Sequence, residues 1–149
     1  LNRSSIGLLL LVRALSNSIG FYLLGKTEFW HFRLRPALAN QLIAAVIFLV
    51  LASTPSIGAI TVLLAAFGLT VSLSYSNSFF HGVSGRRDRS RPMAIHEAVL
   101  AGGLVSGYAL GGIVYDYVSS VGVYLSCAAV FLLGAALQLG MYHVLRRQP

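Results

Sequence analysis

The chain has 149 residues, 56% of them hydrophobic and 10% charged, with a formal net charge of +7. A soluble domain of this size carries roughly 25% charged residues, so the composition excludes an ordinary water-facing surface. Nucleic acid is not the expected partner either, because most Lys and Arg residues fall in short gaps between apolar runs, where basic residues of membrane proteins record orientation.

Five apolar runs follow in chain order, over residues 5–24, 37–53, 57–80, 92–115 and 121–145. Each has the length of about 17–25 residues that a helix needs to cross a hydrocarbon core of about 30 Å. Helices are expected throughout, since a helix satisfies its own backbone hydrogen bonds in lipid. A β-barrel would need alternating segments of about ten residues, and these runs do not alternate. The expected fold class is all-α, a polytopic membrane helix bundle of about five transmembrane helices in the cell membrane, surrounded by the lipid bilayer.

The gaps set the orientation. Lys26, Arg33 and Arg35 lie between runs one and two; Arg86, Arg87, Arg89 and Arg91 lie between runs three and four; Arg146 and Arg147 follow run five. The gaps at 54–56 and 116–120 hold no Lys or Arg. Every second loop is basic, as five antiparallel crossings require, and the positive-inside rule puts those loops and the C-terminus in the cytoplasm. Pro36 and Pro92 fall in the first turn of a run, where a missing N–H is harmless, and Pro55 sits in a tight turn. Trp30 and Tyr117 stand near the proposed interfaces. Cys127 lies alone inside an apolar run, so no disulfide forms within the chain. The first run has no basic leader and no cleavage site, which argues against a signal peptide. The start at Leu1 suggests a record that begins inside a longer chain.

The runs differ in polarity. Runs two and five are mostly Leu, Ile, Val, Ala and Phe and are expected to shield the others from lipid. Runs one, three and four carry polar groups, which normally face a bundle interior or a wet cavity. Arg13 falls near the middle of run one, with Asn17 one turn further along the same face; the pair reads as a cation that holds a solute or partner group, or as a structural ion pair. Glu97 shares a stripe of about 20° with Leu104, Tyr108 and Tyr115; it reads as a charge relay, or as a carboxylate favoured by the helix dipole. His96 points elsewhere and reads as structural. His96-Glu97 lacks the second histidine of a zinc-protease motif, because residue 100 is Leu, and His31, His81, His96 and His143 have no ligand spacing. Gly103, Gly107 and Gly111 form a small-residue ridge for close helix packing, and Gly134, Ala135 and Ala136 offer a second one. The basic loop at 85–92 reads as a solvated, orientation-setting segment, or as a headgroup contact.

The stretch RPMAIHEAVLAGGLVSGYALGGIVYD, preceded by a basic loop, resembles the eleventh helix of the major facilitator superfamily of secondary transporters. On that resemblance the five runs correspond to helices eight to twelve, a partial C-terminal half, with the ninth and twelfth helices peripheral. Residues Gly25 to Arg35 depart from the family's loop pattern Gly-x-x-x-Asp-Arg-x-Gly-Arg-Arg, with Glu28 one residue early and the second glycine missing. The resemblance implies alternating access to a small-molecule solute, with the N-terminal half and helix seven of the same transporter as partners. Arg13, Asn17 and Glu97, with Tyr75 and Tyr108 as lining, are the expected pathway residues. No enzyme chemistry, cofactor or metal is expected. The competing reading is a five-helix scaffold or assembly subunit that associates through Gly103, Gly107 and Gly111.

Overall fold

The computed structural model describes residues 2–54, 56–85 and 87–146, the last two by their backbone alone. Pro55, Arg86 and Arg147, together with the side chain of Arg146, lie outside the described residues. The chain forms five helices, α1 (Arg3–Leu24), α2 (Leu34–Ser53), α3 (Ile57–Val83), α4 (Ser90–Tyr117) and α5 (Ser120–Arg146). All five are long and apolar enough to cross a membrane, and no strand occurs among the described residues. This is an integral membrane helix bundle.

The helix starts follow from local chemistry. Asn2 caps α1, its side-chain oxygen accepting the Ser5 N–H at 2.8 Å, so the helix begins two residues before the apolar run. Helices α2 and α4 likewise begin at Leu34 and Ser90, ahead of the expected 37 and 92. Pro36 and Pro92 are each the third helical residue, where a backbone N–H has no partner within the helix. Gly85, just past α3, has φ +73, a left-handed conformation that glycine adopts without a Cβ penalty. Before α4, Asp88 Oδ1 accepts both the Ser90 N–H at 2.9 Å and the Ser90 hydroxyl at 2.6 Å. The two bonds hold the Asp88 carboxyl below the ordinary carboxylate range. Because the folded form has the depressed value, its contribution is present at neutral pH and lost as pH falls below that range. Amides at the start of α4 should therefore lose hydrogen-exchange protection in acid, and Asp88→Asn should remove that pH dependence.

Helices α1 and α3 run side by side in the same direction, closed by glycines. A Cβ at Gly68 would run into the Arg13 carbonyl and stand 3.0 Å from the Asn17 nitrogen, and one at Gly20 would meet Ser72. Small residues of this kind let transmembrane helices approach closely. Helix α2 packs antiparallel against both α3 and α5. Its small residues Ala37, Ala44 and Ala45 are buried, as are Ala128 and Ala135 of α5. Gly134 faces the Gln41 side chain, so Gly134 and Ala135 do form a close contact, whereas Ala136 is exposed.

This arrangement corrects one expectation. Helix α2 is the most buried of the five and does not act as a shield, while α4 has no buried residue. Lipid tails are as apolar as Leu, so hydropathy does not separate a lipid-facing surface from a helix–helix one. The loop from 25 to 33 also differs from a simple interfacial belt. Trp30 is buried, its Nε1–H donates to the Leu24 carbonyl at 3.3 Å, and its ring meets Phe80 edge-on at 5.4 Å. The indole satisfies a carbonyl at the open end of α1 and ties the loop to the end of α3.

Candidate functional site

The basic loops gather at one end of the bundle, where α1 and α3 finish and α2 and α4 begin. Lys26, Arg33, Arg35, Arg87, Arg89 and Arg91 are exposed there, and Lys26 Nζ sits 4.3 Å from the centre of the Tyr22 ring. Their alternation with loops that lack Lys and Arg matches the alternating crossings of the five helices.

In the same half of the bundle, α2, α3 and α5 border an open cleft of ≈ 460 Å³, mostly apolar in surface, with several polar side chains set into its wall. Binding pockets for small molecules span about 300–1,000 Å³. Asn40 and Gln41 enter from α2, Ser74, Tyr75 and Asn77 from α3, and Gln138 from α5. Phe67 and Phe131 also line it; with Phe48 they form an aromatic cluster, Phe48 lying 4.9 Å from Phe67 and 5.8 Å from Phe131. Asn40 is 6% exposed and staples α2 to α3. Its Nδ2 donates to the Thr70 carbonyl at 3.0 Å and to Ser74 Oγ at 2.8 Å. Bonds of this kind contribute about 0.6–1.7 kcal/mol each in membrane bundles. Asn40→Leu should therefore weaken the bundle by about 1–2 kcal/mol, read as an earlier unfolding midpoint in detergent mixed with denaturing surfactant.

Helix α4 joins the cleft through hydrogen bonds. Tyr75 Oη donates to Glu97 Oε1 at 2.7 Å, and Ser78 Oγ and His96 Nε2 lie 2.8 Å apart. His96 Nδ1 is 3.4 Å from the same Glu97 oxygen. The Tyr75 ring meets His96 at 5.3 Å and Phe21 of α1 at 5.6 Å, both edge-on. Tyr75 thus stands between the cleft and a carboxylate, and a change at Glu97 reaches the cleft wall through its hydroxyl.

The predicted residues divide accordingly. Tyr75 lines the cleft and Glu97 is bonded to it. Tyr108 does not join them; it is 77% exposed on α4, as are Leu104 and Tyr115 of the same stripe. Arg13 lies midway along α1, exposed, with no ion pair or hydrogen bond among the described residues. Asn17 is half-buried toward α3, and its Oδ1 has no partner. Helices α1 and α4 do not touch, so Arg13 and Glu97 are not brought together. At Gly103, Gly107 and Gly111 an added Cβ would meet nothing within 4 Å, so the ridge faces outward from this bundle. Sequence reasoning missed Asn40, Gln41 and Gln138, polar members of two helices read as mostly apolar, and it set His96 aside although Ser78 stands opposite it. No group of His, Cys, Asp and Glu with metal-ligating potential occurs among the described residues. No protein-family model, curated protein or solved structure matches this chain.

Proposed function

We propose that this bundle is the solute-handling part of a secondary transporter that works by alternating access. The observation that supports it best is the cleft with polar side chains among apolar helices, with Tyr75 linking its wall to Glu97. Polar groups within the bilayer are costly, and they mark solute or ion pathways. In this reading the basic-loop end is cytoplasmic, the cleft holds a small-molecule solute, and Glu97 with His96 biases the contact between α3 and α4. The exposed face of α1 with Arg13 and the bare ridge of α4 are where the remaining transporter helices dock. The resemblance to the major facilitator superfamily fits this reading, with the N-terminal half and helix seven as those helices.

The test is flux of a panel of labelled sugars, amino acids, organic cations and organic anions into liposomes that hold the protein together with the helices this reading docks on α1 and α4. Arg13→Ala is expected to abolish flux while the protein remains in the membrane, because an unpaired cation at mid-span needs a partner or solute to hold. Undiminished flux in that variant would remove Arg13 from the pathway. The bare ridge favours a second reading, a five-helix scaffold that self-associates there. It predicts no flux for the whole panel and a stable oligomer that Gly107→Leu disperses.

A further inference from the structure

Three of the four hydroxyls in the cleft wall already donate within the protein, and the fourth, Ser74, accepts from Asn40. Thr70 Oγ1 donates to the Phe67 carbonyl at 2.8 Å, Ser78 Oγ to the Tyr75 carbonyl at 3.0 Å, and Tyr75 Oη to Glu97 at 2.7 Å. Asn40 directs its amide N–H groups to Thr70 and Ser74. Among the buried side-chain atoms, what the wall leaves unmatched are acceptors. The side-chain carbonyl oxygens of Gln41, Asn77 and Gln138 are withdrawn from the surface and have no hydrogen-bond partner among the described residues. They come from α2, α3 and α5, and all three residues line the one cleft. A buried acceptor without a donor is unfavourable, so turning these carboxamides toward an occupant that both donates and accepts hydrogen bonds is favoured.

The charge of that occupant follows from the lining. Among the described residues no Asp, Glu, Lys or Arg lines the cleft, and His81 is the one histidine in its lining. A cation would lose its hydration with no counter-charge in the wall, and the basic loops at the same end of the bundle would repel it. An anion would lose its hydration with no fixed cation in the wall and would leave the three carbonyls without donors. An uncharged group with several O–H donors meets neither penalty. Its hydroxyl hydrogens match the three carbonyls, its oxygens can accept from the same carboxamides, and its C–H faces suit the rings of Phe67 and Phe131.

We propose that the cleft between α2, α3 and α5 binds an uncharged polyhydroxylated solute, of the sugar or polyol class, through Gln41, Asn77 and Gln138. The proposal rests on the transport reading only in making this ligand the transported solute; the binding itself can be measured without flux. The protein in lipid nanodiscs is titrated with tritiated sorbitol and glucose, with methylammonium and acetate as charged controls. Saturable binding of at least one polyol, and of neither ion, is expected. Asn77→Leu and Gln138→Met should each weaken it by about tenfold or more, the penalty for leaving ligand hydroxyls unmatched. The thermal midpoint without ligand should hold or rise, since each change removes an unmatched carbonyl. Polyol binding that both variants retain in full would overturn the proposal, as would a cleft that takes up water alone and neither polyol. Binding without flux of the same polyol in liposomes would leave the site standing and remove the transport reading. Flux of a different solute class without polyol binding would do the reverse.

Discussion

Gly68→Leu is expected to separate α1 from α3 and to be the most disruptive single substitution in the bundle. At that position the two backbones cross so closely that even a Cβ would run into the Arg13 carbonyl and crowd the Asn17 nitrogen and the Ser16 side chain. Backbone atoms cannot rotate away as a side chain can, so the helices must part. Overpacking a filled site typically costs about 1–3 kcal/mol, and a leucine in a backbone crossing belongs at or beyond the upper end. Gly68→Ala should cost less, at about 1–2 kcal/mol. The check is the unfolding midpoint of the purified protein, together with the distance between spin labels on cysteines placed at exposed Leu15 of α1 and Leu69 of α3 in a Cys127→Ser background. That distance should grow in Gly68→Leu. Gly107→Leu is the control for the crossing. Nothing within the five helices lies within reach of a side chain there, so it should leave the α1–α3 distance unchanged.

The second large effect is expected at Glu97. Its carboxylate accepts the Tyr75 hydroxyl at 2.7 Å and lies 3.4 Å from His96 Nδ1, and these bonds, with Ser78–His96, are the polar part of the contact between α3 and α4. Glu97→Gln keeps the shape and removes the charge. Flux through the reconstituted protein should then fall sharply but stay measurable above empty liposomes, while the unfolding midpoint stays near that of the parent, because Glu97 is more than half exposed and little core packing depends on it. Tyr75→Phe should also lower flux, and combining it with Glu97→Leu, which deletes the acceptor as well as the charge, should be no worse than the more damaging single variant, since both remove one bond. Independent losses at the two positions would show that the Tyr75–Glu97 bond is not the link between cleft and carboxylate.

The five spans were legible because a bilayer imposes a length and a composition on every crossing. The Asn2 cap explains the early start of α1, and Pro36 and Pro92, each the third helical residue, are compatible with the early starts of α2 and α4. The packing was not legible in the same way. Hydropathy ranked α2 and α5 as peripheral, yet α2 lies between α3 and α5, because burial in a membrane bundle follows small residues such as Ala44 and Ala45 more closely than greasiness. The cleft was hidden for a related reason. Asn40, Gln41 and Gln138 were diluted by their apolar neighbours in a window average, although a single amide within a span is itself the informative departure. Tyr75 and Glu97 were found because polar residues crowd their helices. The bond between them depends on how α3 and α4 pair, which neither helix encodes alone.

On the transport reading, a water-reachable cleft with polar side chains in its wall lies inside the membrane half that carries the basic loops. The most direct test starts from Cys127→Ser, which removes the only thiol, and adds Asn77→Cys in sealed vesicles of each orientation. A membrane-impermeant maleimide should label position 77 from the basic-loop side alone. It should not label Val130→Cys on the exposed apolar face of α5 from either side. Labelling of position 77 only by a lipid-soluble reagent would contradict the account, because Gln41, Asn77 and Gln138 would then be packed against lipid or protein with no passage for a polar solute.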